Sequence, residues 1–345
     1  MKANMALADQ RRRGNMIRIG FAGAGYIADI HAEVLSSQAD VRIAAVCDAD
    51  PSRAQAFAAK HGGEPARSFE QLITSVDAVY ICTPNALHAE LAIASLEAGR
   101  HVFSEKPMAT SPGDAERVRA AADRSNAIYQ IGFNKRFAPI YRALKDRIEA
   151  GELVPRWANI KMNRGELRQP SWVADASLTG GFLYETPIHI LDLACWLFGP
   201  VREVVCRARQ VAADHVDDFA MLLTFESGLT TTLCASAHTT WLFPFERLEV
   251  YGEHGIAVSE EMERITFQLG LDAKPEANDV SARPMPERWG YEAADLAFLA
   301  AVRGEEQTAP GALEGKQAVD LVAACYRAAE SGQPVRLEEI AAGPG

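Results

Sequence analysis

One stretch, Met16 to Ala28, constrains the fold of this chain more than any other. Met16 to Ala22 is a short apolar run broken only by Arg18 and Gly20, which suits a buried strand. Gly23-Ala24-Gly25-Tyr26-Ile27-Ala28 follows with G-x-G-x-x-A spacing. In a strand-turn-helix unit each small residue has a use. Gly23 permits the tight turn, Gly25 lets a pyrophosphate reach bare backbone, and Ala28 keeps the helix near the strand. Tyr26 and Ile27 open that helix, whose unpaired N–H groups and partial positive charge would face the phosphates. Glycines also serve purely structural loops, so the context decides. A helical pattern (Ile27, Ile30, His31, Val34, Leu35) follows the turn, and a second strand, Val41–Cys47, ends at Asp48. Asp48 lies twenty positions after Ala28, where an acidic side chain holds adenine ribose hydroxyls. The stretch predicts a dinucleotide site.

The alternation continues. Helices are expected at Pro51–Lys60, Ser68–Ile73, Asn85–Ala98 and Ser111–Arg124, and strands at Ala78–Cys82, His101–Phe103 and Ala127–Ile131. Asp50 and Pro51 supply a cap and a first-turn proline, and Gly99 a stop. Such β-α alternation means a parallel, doubly wound sheet. After Phe133 the grammar changes. A helix at Pro139–Ala150, a strand at Trp157–Asn163 and one helix over Leu183–Phe198 precede a run of strands. These are Glu203–Arg209, Phe219–Phe225, Leu229–Ala235, Arg247–Gly252 and Ile265–Gly270, with hairpin turns at Ser227-Gly228 and His254-Gly255. Helices return at Glu292–Arg303 and Leu313–Ser331. The division predicted is a polar leader (1–15), a dinucleotide-binding domain (16–132) and an α+β substrate-binding and oligomerisation domain (133–345) with a large, mostly antiparallel sheet.

With 345 residues, 48% of them apolar, the chain can bury a large core. Its net charge of −11 provides no basic field for nucleic acid or an anionic membrane. Arg11-Arg12-Arg13 resembles the start of a twin-arginine export signal, but the apolar run behind it is the strand and glycine turn. No stretch has the uninterrupted apolar length of a membrane span. The six cysteines form no C-x-x-C pair and sit in apolar segments, as free thiols of a reducing cytoplasm do. His31, His61, His215, His238 and His254 show no ligand spacing and H-E-x-x-H is absent, so no metal is expected.

Three further groups of residues carry chemistry. Thr83-Pro84-Asn85, with His88 behind it, follows the fourth strand at the sheet edge where ligands lie. Glu105-Lys106-Pro107 ends the fifth. Pro107 drives Lys106 towards extended backbone, which leaves its amine either in a surface ion pair or held at the crevice. Gly180-Gly181 then precedes Glu185, His189, Asp192 and Trp196. On one helix these share a stripe, with Pro187 in the first turn. Such a stripe is either a core histidine held by a carboxylate or a site with two carboxylates around an imidazole. Asn134, Arg136, Arg164 and Trp172 are candidates for the cleft wall, each with a packing or solvated-charge alternative.

Together these motifs, in this order, resemble the Gfo/Idh/MocA oxidoreductase family. The resemblance covers nearly everything beyond the leader and includes Leu248–Gly252 and the final helices. It implies an N-terminal Rossmann fold, NAD as cofactor (NADP remaining open through Arg53 beside Asp48), and hydride transfer with a secondary alcohol of a sugar, inositol or related polyol. It implies Lys106 as the catalytic lysine and His189 as the proton-transferring histidine. Glu185 stands where many members have Asp, and Pro187 where Gly is commoner. Lys106 would stabilise negative charge on the reacting oxygen, and neutral His189 would accept the proton. Glu185 would orient His189 or hold a hydroxyl, Asp192 would grip a hydroxyl or fix the imidazole, and His88 would shape the cofactor pocket. Two rival readings remain: net glycoside hydrolysis through transient oxidation by a retained dinucleotide, and a sensor that binds NAD(H) without chemistry. A bare apolar face on the second domain's sheet predicts a homodimer or homotetramer formed sheet against sheet.

Overall fold

The computed structural model describes residues 16–166, 170–240, 245–305 and 310–341. The expected leader lies outside them. β1 (Ile17–Ala22) runs into the glycine turn and α1 (Tyr26–Ser36), then β2 (Val41–Cys47), α2 (Pro51–His61), a two-residue β3 (Glu64–Pro65) and α3 (Phe69–Ser75). The Asp50 carboxylate accepts the Ser52 N–H and Ser68 caps α3, so local sequence starts both helices. β4 (Ala78–Ile81), α4 (His88–Glu97), β5 (His101–Ser104), α5 (Pro112–Arg124) and β6 (Tyr129–Ile131) complete the first unit. Its strands pair in parallel in the order β3-β2-β1-β4-β5-β6. The order reverses between β1 and β4, and the crevice beyond their C-terminal ends is where such a sheet binds ligands. β4 is buried along its whole length, as a strand covered by helices on both faces must be.

α6 (Pro139–Glu149) leads into β7 (Pro155–Asn163). Short helices α7 (Ala176–Thr179) and α8 (Phe182–Glu185) precede α9 (Ile188–Phe198). The single helix expected over Leu183–Phe198 is therefore two. Thr186 leaves helical geometry at φ −126°, and Pro187, lacking an N–H, opens α9 instead of continuing α8. β8 (Val201–Arg209), β9 (Asp218–Phe225), β10 (Thr230–Ser236), β11 (Glu246–Gly252), β12 (Gly255–Glu260), β13 (Arg264–Leu269) and β14 (Glu276–Asp279) follow. α10 (Met285–Arg288), α11 (Tyr291–Val302), α12 (Ala312–Ser331), β15 (Val335–Arg336) and α13 (Leu337–Ala341) end the described chain. The nine-stranded sheet has the order β14-β13-β12-β11-β7-β10-β9-β8-β15 and is antiparallel except where β7 and β10 run parallel. β12 was missed in the sequence because its alternation begins inside a glycine read only as a turn.

The burial of this sheet alternates residue by residue. Phe219, Met221, Leu223 and Phe225 of β9 point into the core, while Ala220, Leu222 and Thr224 face the other way. The outer face is not the bare apolar surface expected. Val205, Leu222, Ile256 and Val258 share it with Asn159, Thr232, Glu249 and Arg247. Thr232 donates to Asn159 across two strands and Tyr251 to Glu249 along one. α11 belongs by packing to the first sheet, although it lies late in the chain. Phe298 meets Tyr80 and Phe103 edge-on at 5.5 and 5.7 Å, and those two rings stack at 4.7 Å.

Candidate active site

The two glycines of the turn have different surroundings. Gly23 has φ +93°, and a Cβ there would collide with the Cys82 carbonyl at the end of β4. Gly25 has nothing within 4 Å of its Cβ position. Its backbone borders open space at the mouth of α1, whose first turn has no side-chain cap. Free N–H groups beside a vacant approach fit a diphosphate. Tyr26 is exposed at this mouth, Ile27 half-buried and Ala28 fully buried against the core. Asp48 accepts from Ala24 N and Asp50 N, both at 2.8 Å, through different oxygens. It therefore braces the turn while remaining half-exposed, with lone pairs left for a ribose hydroxyl.

The β4 loop and the β5 loop are tied together by His88. Its Nδ1 lies 2.7 Å from the Pro107 carbonyl and its Nε2 2.9 Å from that of Thr83. Burial holds this imidazole below its ordinary pKa against the pull of both carbonyls. Asn85 donates to the Thr179 carbonyl at 2.9 Å, so the Thr83-Pro84-Asn85 loop also rests on α7. The Thr83 hydroxyl is buried with no hydrogen-bond partner among the described residues.

Lys106 points across the cleft, where its Nζ donates to the main-chain carbonyl of Glu185. The amine is held on this carbonyl, 79 residues away in sequence, and is in no surface ion pair among the described residues. The Glu185 carboxylate does not touch His189. It accepts from the Arg164 guanidinium and from the Thr186 hydroxyl. Burial would raise its pKa, but Arg164 and Lys106 together hold it below the usual carboxylate value. The break at Pro187 explains the arrangement: Glu185 ends one helix and His189 starts another, so the expected i,i+4 stripe between them does not exist. His189 is half-buried, edge-on to Phe133 at 6.4 Å, and its Nδ1 has no hydrogen-bond partner among the described residues. Burial pushes its pKa well down, and the charges of Lys106, Lys135 and Arg164 push the same way. The imidazole is neutral at neutral pH and able to accept a proton.

Asp192 is committed elsewhere. Arg136 Nε and Nη2 donate to its two oxygens at 2.9 and 2.6 Å, and it is 1% exposed. Burial raises its pKa to about 6 even against Arg136. The expectation that it fixes the imidazole or grips a hydroxyl gives way to this closed bidentate pair. Asn134 donates to the Trp289 carbonyl at 2.8 Å, and its buried Oδ1 has no hydrogen-bond partner among the described residues. Trp172 is half-buried on a single 3₁₀ turn, Ser171–Ala174, ahead of α7. Lys106, Glu185, Arg164 and His189 are thus brought together. Asp48 and the glycine turn form the other end of the crevice. Among the described residues no cluster of His, Cys, Asp or Glu could hold a metal ion. No described helix is long and apolar enough to cross a membrane.

Comparisons with known proteins show the family and the fold. Residues 17–133 match a family model described as an oxidoreductase family with an NAD-binding Rossmann fold. Residues 145–337 match the C-terminal alpha/beta domain of the same oxidoreductase family. An inositol 2-dehydrogenase of Rhizobium meliloti is 29% identical over 338 residues, covering 93% of this chain and 99% of the relative. A myo-inositol 2-dehydrogenase of Thermotoga maritima is 29% identical over 339 residues, covering 94% and 99%. Among solved structures, a levoglucosan dehydrogenase in complex with NADH and levoglucosan has a TM-score of 0.87 at 20% identity, covering 93% of this chain and 99% of that one. At that identity the likeness speaks for the fold.

Proposed function

The chain belongs to the Gfo/Idh/MocA oxidoreductase family, and from that premise we propose that it oxidises a secondary alcohol of an inositol, sugar or related polyol with NAD. The observation that carries this reading is an ammonium, just beyond the C-terminal end of β5 in the sheet whose first strand runs into the glycine turn, close enough to an imidazole to lower its pKa. Gly23, Gly25, Tyr26, Ile27 and Ala28 would hold the dinucleotide with Asp48, Thr83, Pro84, Asn85, His88, Glu105 and Lys106. Bound there, NAD supplies the hydride acceptor.

The chain's own residues manage the proton and the charge. Lys106 donates a hydrogen bond to the alcohol oxygen and stabilises negative charge on it as the carbon–oxygen double bond forms. His189 takes the hydroxyl proton. Lys106 and Arg164 keep that imidazole unprotonated until the substrate arrives, since each disfavours a second positive charge. Glu185 offsets Arg164 and, through its main-chain carbonyl, seats Lys106. The unpaired Asn134 Oδ1 accepts from a neighbouring substrate hydroxyl. Arg164 and Trp172 line the remaining wall. The six unpaired cysteines support a reducing, cytoplasmic setting.

A panel of inositols, aldoses and sugar acids, followed by the absorbance of reduced nicotinamide, tests the function. Accumulating NADH is the expected result. Release of chromophore from an aryl glycoside without added NAD would replace the reading with net hydrolysis. Tight NAD binding without turnover on any member would replace it with sensing. We further propose a homodimer or homotetramer through the outer face of the nine-stranded sheet, where Trp157 is 40% exposed and Leu222 and Val205 are half-buried. A sedimentation run with only the 37.5 kDa species would remove that assembly.

A further inference from the structure

His31 is the one fully buried imidazole that no motif claims and that the mechanism above does not use. It lies in the second turn of α1, the helix that opens on the glycine turn. Its Nδ1 is 2.8 and 3.0 Å from the two oxygens of Asp295 in α11, 264 residues later. Its Nε2 is 3.2 Å from Oε1 of Glu105, the residue before Lys106. All three side chains are buried, His31 and Asp295 at 0% exposure. The rings of Phe103, Tyr80 and Tyr291 enclose the imidazole at 5.0, 5.4 and 5.8 Å.

Glu105 is fixed from its other sides too. Its Oε2 accepts the Lys106 main-chain N–H at 3.2 Å. A Cβ on Gly132 would lie 2.6 Å from Oε1, so the carboxylate rests against bare backbone. A carboxylate turned away from His31 would lose this seat and with it the bond to the Lys106 amide. Net stability is a poor reason for such a cluster, because buried ion pairs roughly break even against apolar packing. Its placement directly beneath the reactive lysine is a better one.

We propose that His31 is a positioning residue for Lys106: clamped by Asp295, it orients the Glu105 carboxylate, which in turn fixes the main chain from which the lysine reaches into the cleft. This rests on the reading of Lys106 as the group that meets substrate. Both ring nitrogens face carboxylates, so both donate only when the ring is an imidazolium. Burial would lower its pKa, but Asp295 and Glu105 outweigh burial and raise it to about 10. The other titratable groups facing the cluster include the phenols of Tyr80 and Tyr291 and the Cys82 thiol, all pushed up by burial and by the carboxylates, and the His88 imidazole, which burial pushes down although Glu105 pulls it up, so they stay neutral around it.

A double-mutant cycle on the full-length protein tests this. His31→Gln is expected to lower kcat roughly ten- to a hundredfold, in the range of groups that position catalytic ones, with polyol KM and NAD Kd within about threefold. In a Glu105→Gln background the same change should cost less than about twofold, because the route through Glu105 is already cut. Competitive acetylation, read by mass spectrometry, should find Lys106 altered at least about threefold in His31→Gln while surface lysines are unchanged. Equal losses of kcat in both backgrounds, or a lower Tm with kcat and Lys106 labelling intact, would overturn the proposal. Should His31→Gln not fold, Asp295→Asn carries the same cycle. Side-chain ¹⁵N spectra of the unaltered protein then read the imidazole directly. Two protonated nitrogens at pH 8 support the proposal, and a titration near the ordinary value overturns it. The labelling and spectra need no substrate, so they stand or fall apart from the dehydrogenase assignment.

Discussion

The Lys106 ammonium donates to the main-chain carbonyl of Glu185, 79 residues further along the chain, so a charge beyond the end of β5 is seated on the last residue of α8. A main-chain acceptor orients the lysine amine without a carboxylate in direct contact. Lys106→Met keeps the stem and removes the charge. It is expected to lower kcat/KM by at least about a hundredfold while NAD Kd changes less than about threefold. Steady-state rates and quenching of intrinsic fluorescence by NAD measure the two.

His189 should set the acid limb of the pH profile. Its pKa in the folded chain lies well below the ordinary value, so the neutral, proton-accepting form persists into acid. The limb of kcat/KM is expected below about pH 6.5, the unperturbed histidine value. His189→Asn should remove about two to four orders of magnitude from kcat. A limb at or above pH 7 in the unaltered protein would contradict this assignment.

The glycine turn separates folding from binding. Gly23→Ala forces a Cβ into the Cys82 carbonyl at positive φ, so Tm should fall by several degrees. Gly25→Ala meets open space. It should leave Tm nearly unchanged and raise NAD Kd about tenfold or more, because its methyl occupies the approach a diphosphate needs. Calorimetry and NAD titration of both variants check the contrast.

Arg164 and Glu185 form an ion pair with little solvent around it. Arg164→Met leaves a buried carboxylate without its main counter-charge. A loss of about 3–5 kcal/mol is expected, measured by urea unfolding at neutral pH. The loss should shrink in acid, where the stranded carboxyl is protonated and no longer penalised.

His31 makes stability depend on pH in the opposite direction. Its folded pKa is raised to about 10, so its contribution is complete below the unfolded value near 6.5 and is lost as pH rises towards 10. Urea midpoints between pH 7 and pH 9.5 should fall more for the unaltered protein than for His31→Gln. Parallel declines would place the alkaline sensitivity elsewhere.

Much of the parallel unit was legible because its signals are local. The β1 run, the glycine spacing, Asp48 and the Asp50-Pro51 cap each lie within a few residues of what they organise. The second sheet was legible as alternation, although β12 hid behind a glycine. The helix over 183–198 was misread because apolar periodicity runs straight through a break that Thr186 and Pro187 impose. That break is what separates Glu185 from His189. Asp192 was misassigned because its partner Arg136 is 56 residues away, and nothing in the spacing marks such a pair. His31 did leave a trace: it sits on the apolar face of α1 among Ile27, Ile30 and Val34, where an imidazole must find buried partners.

Residue order alone determined which groups this chain can offer: a glycine-rich turn at the start of a helix, an acidic residue at the end of the second strand, a lysine at a strand end and a histidine at a helix start. It could do so because caps, turns and periodicity act over a few residues. The tertiary structure alone decided which charge neutralises which, pairing Glu185 with Arg164, Asp192 with Arg136 and His31 with both Glu105 and Asp295. Charges buried away from water must find a counter-charge wherever the packed chain brings one within reach, and that distance is set by the fold.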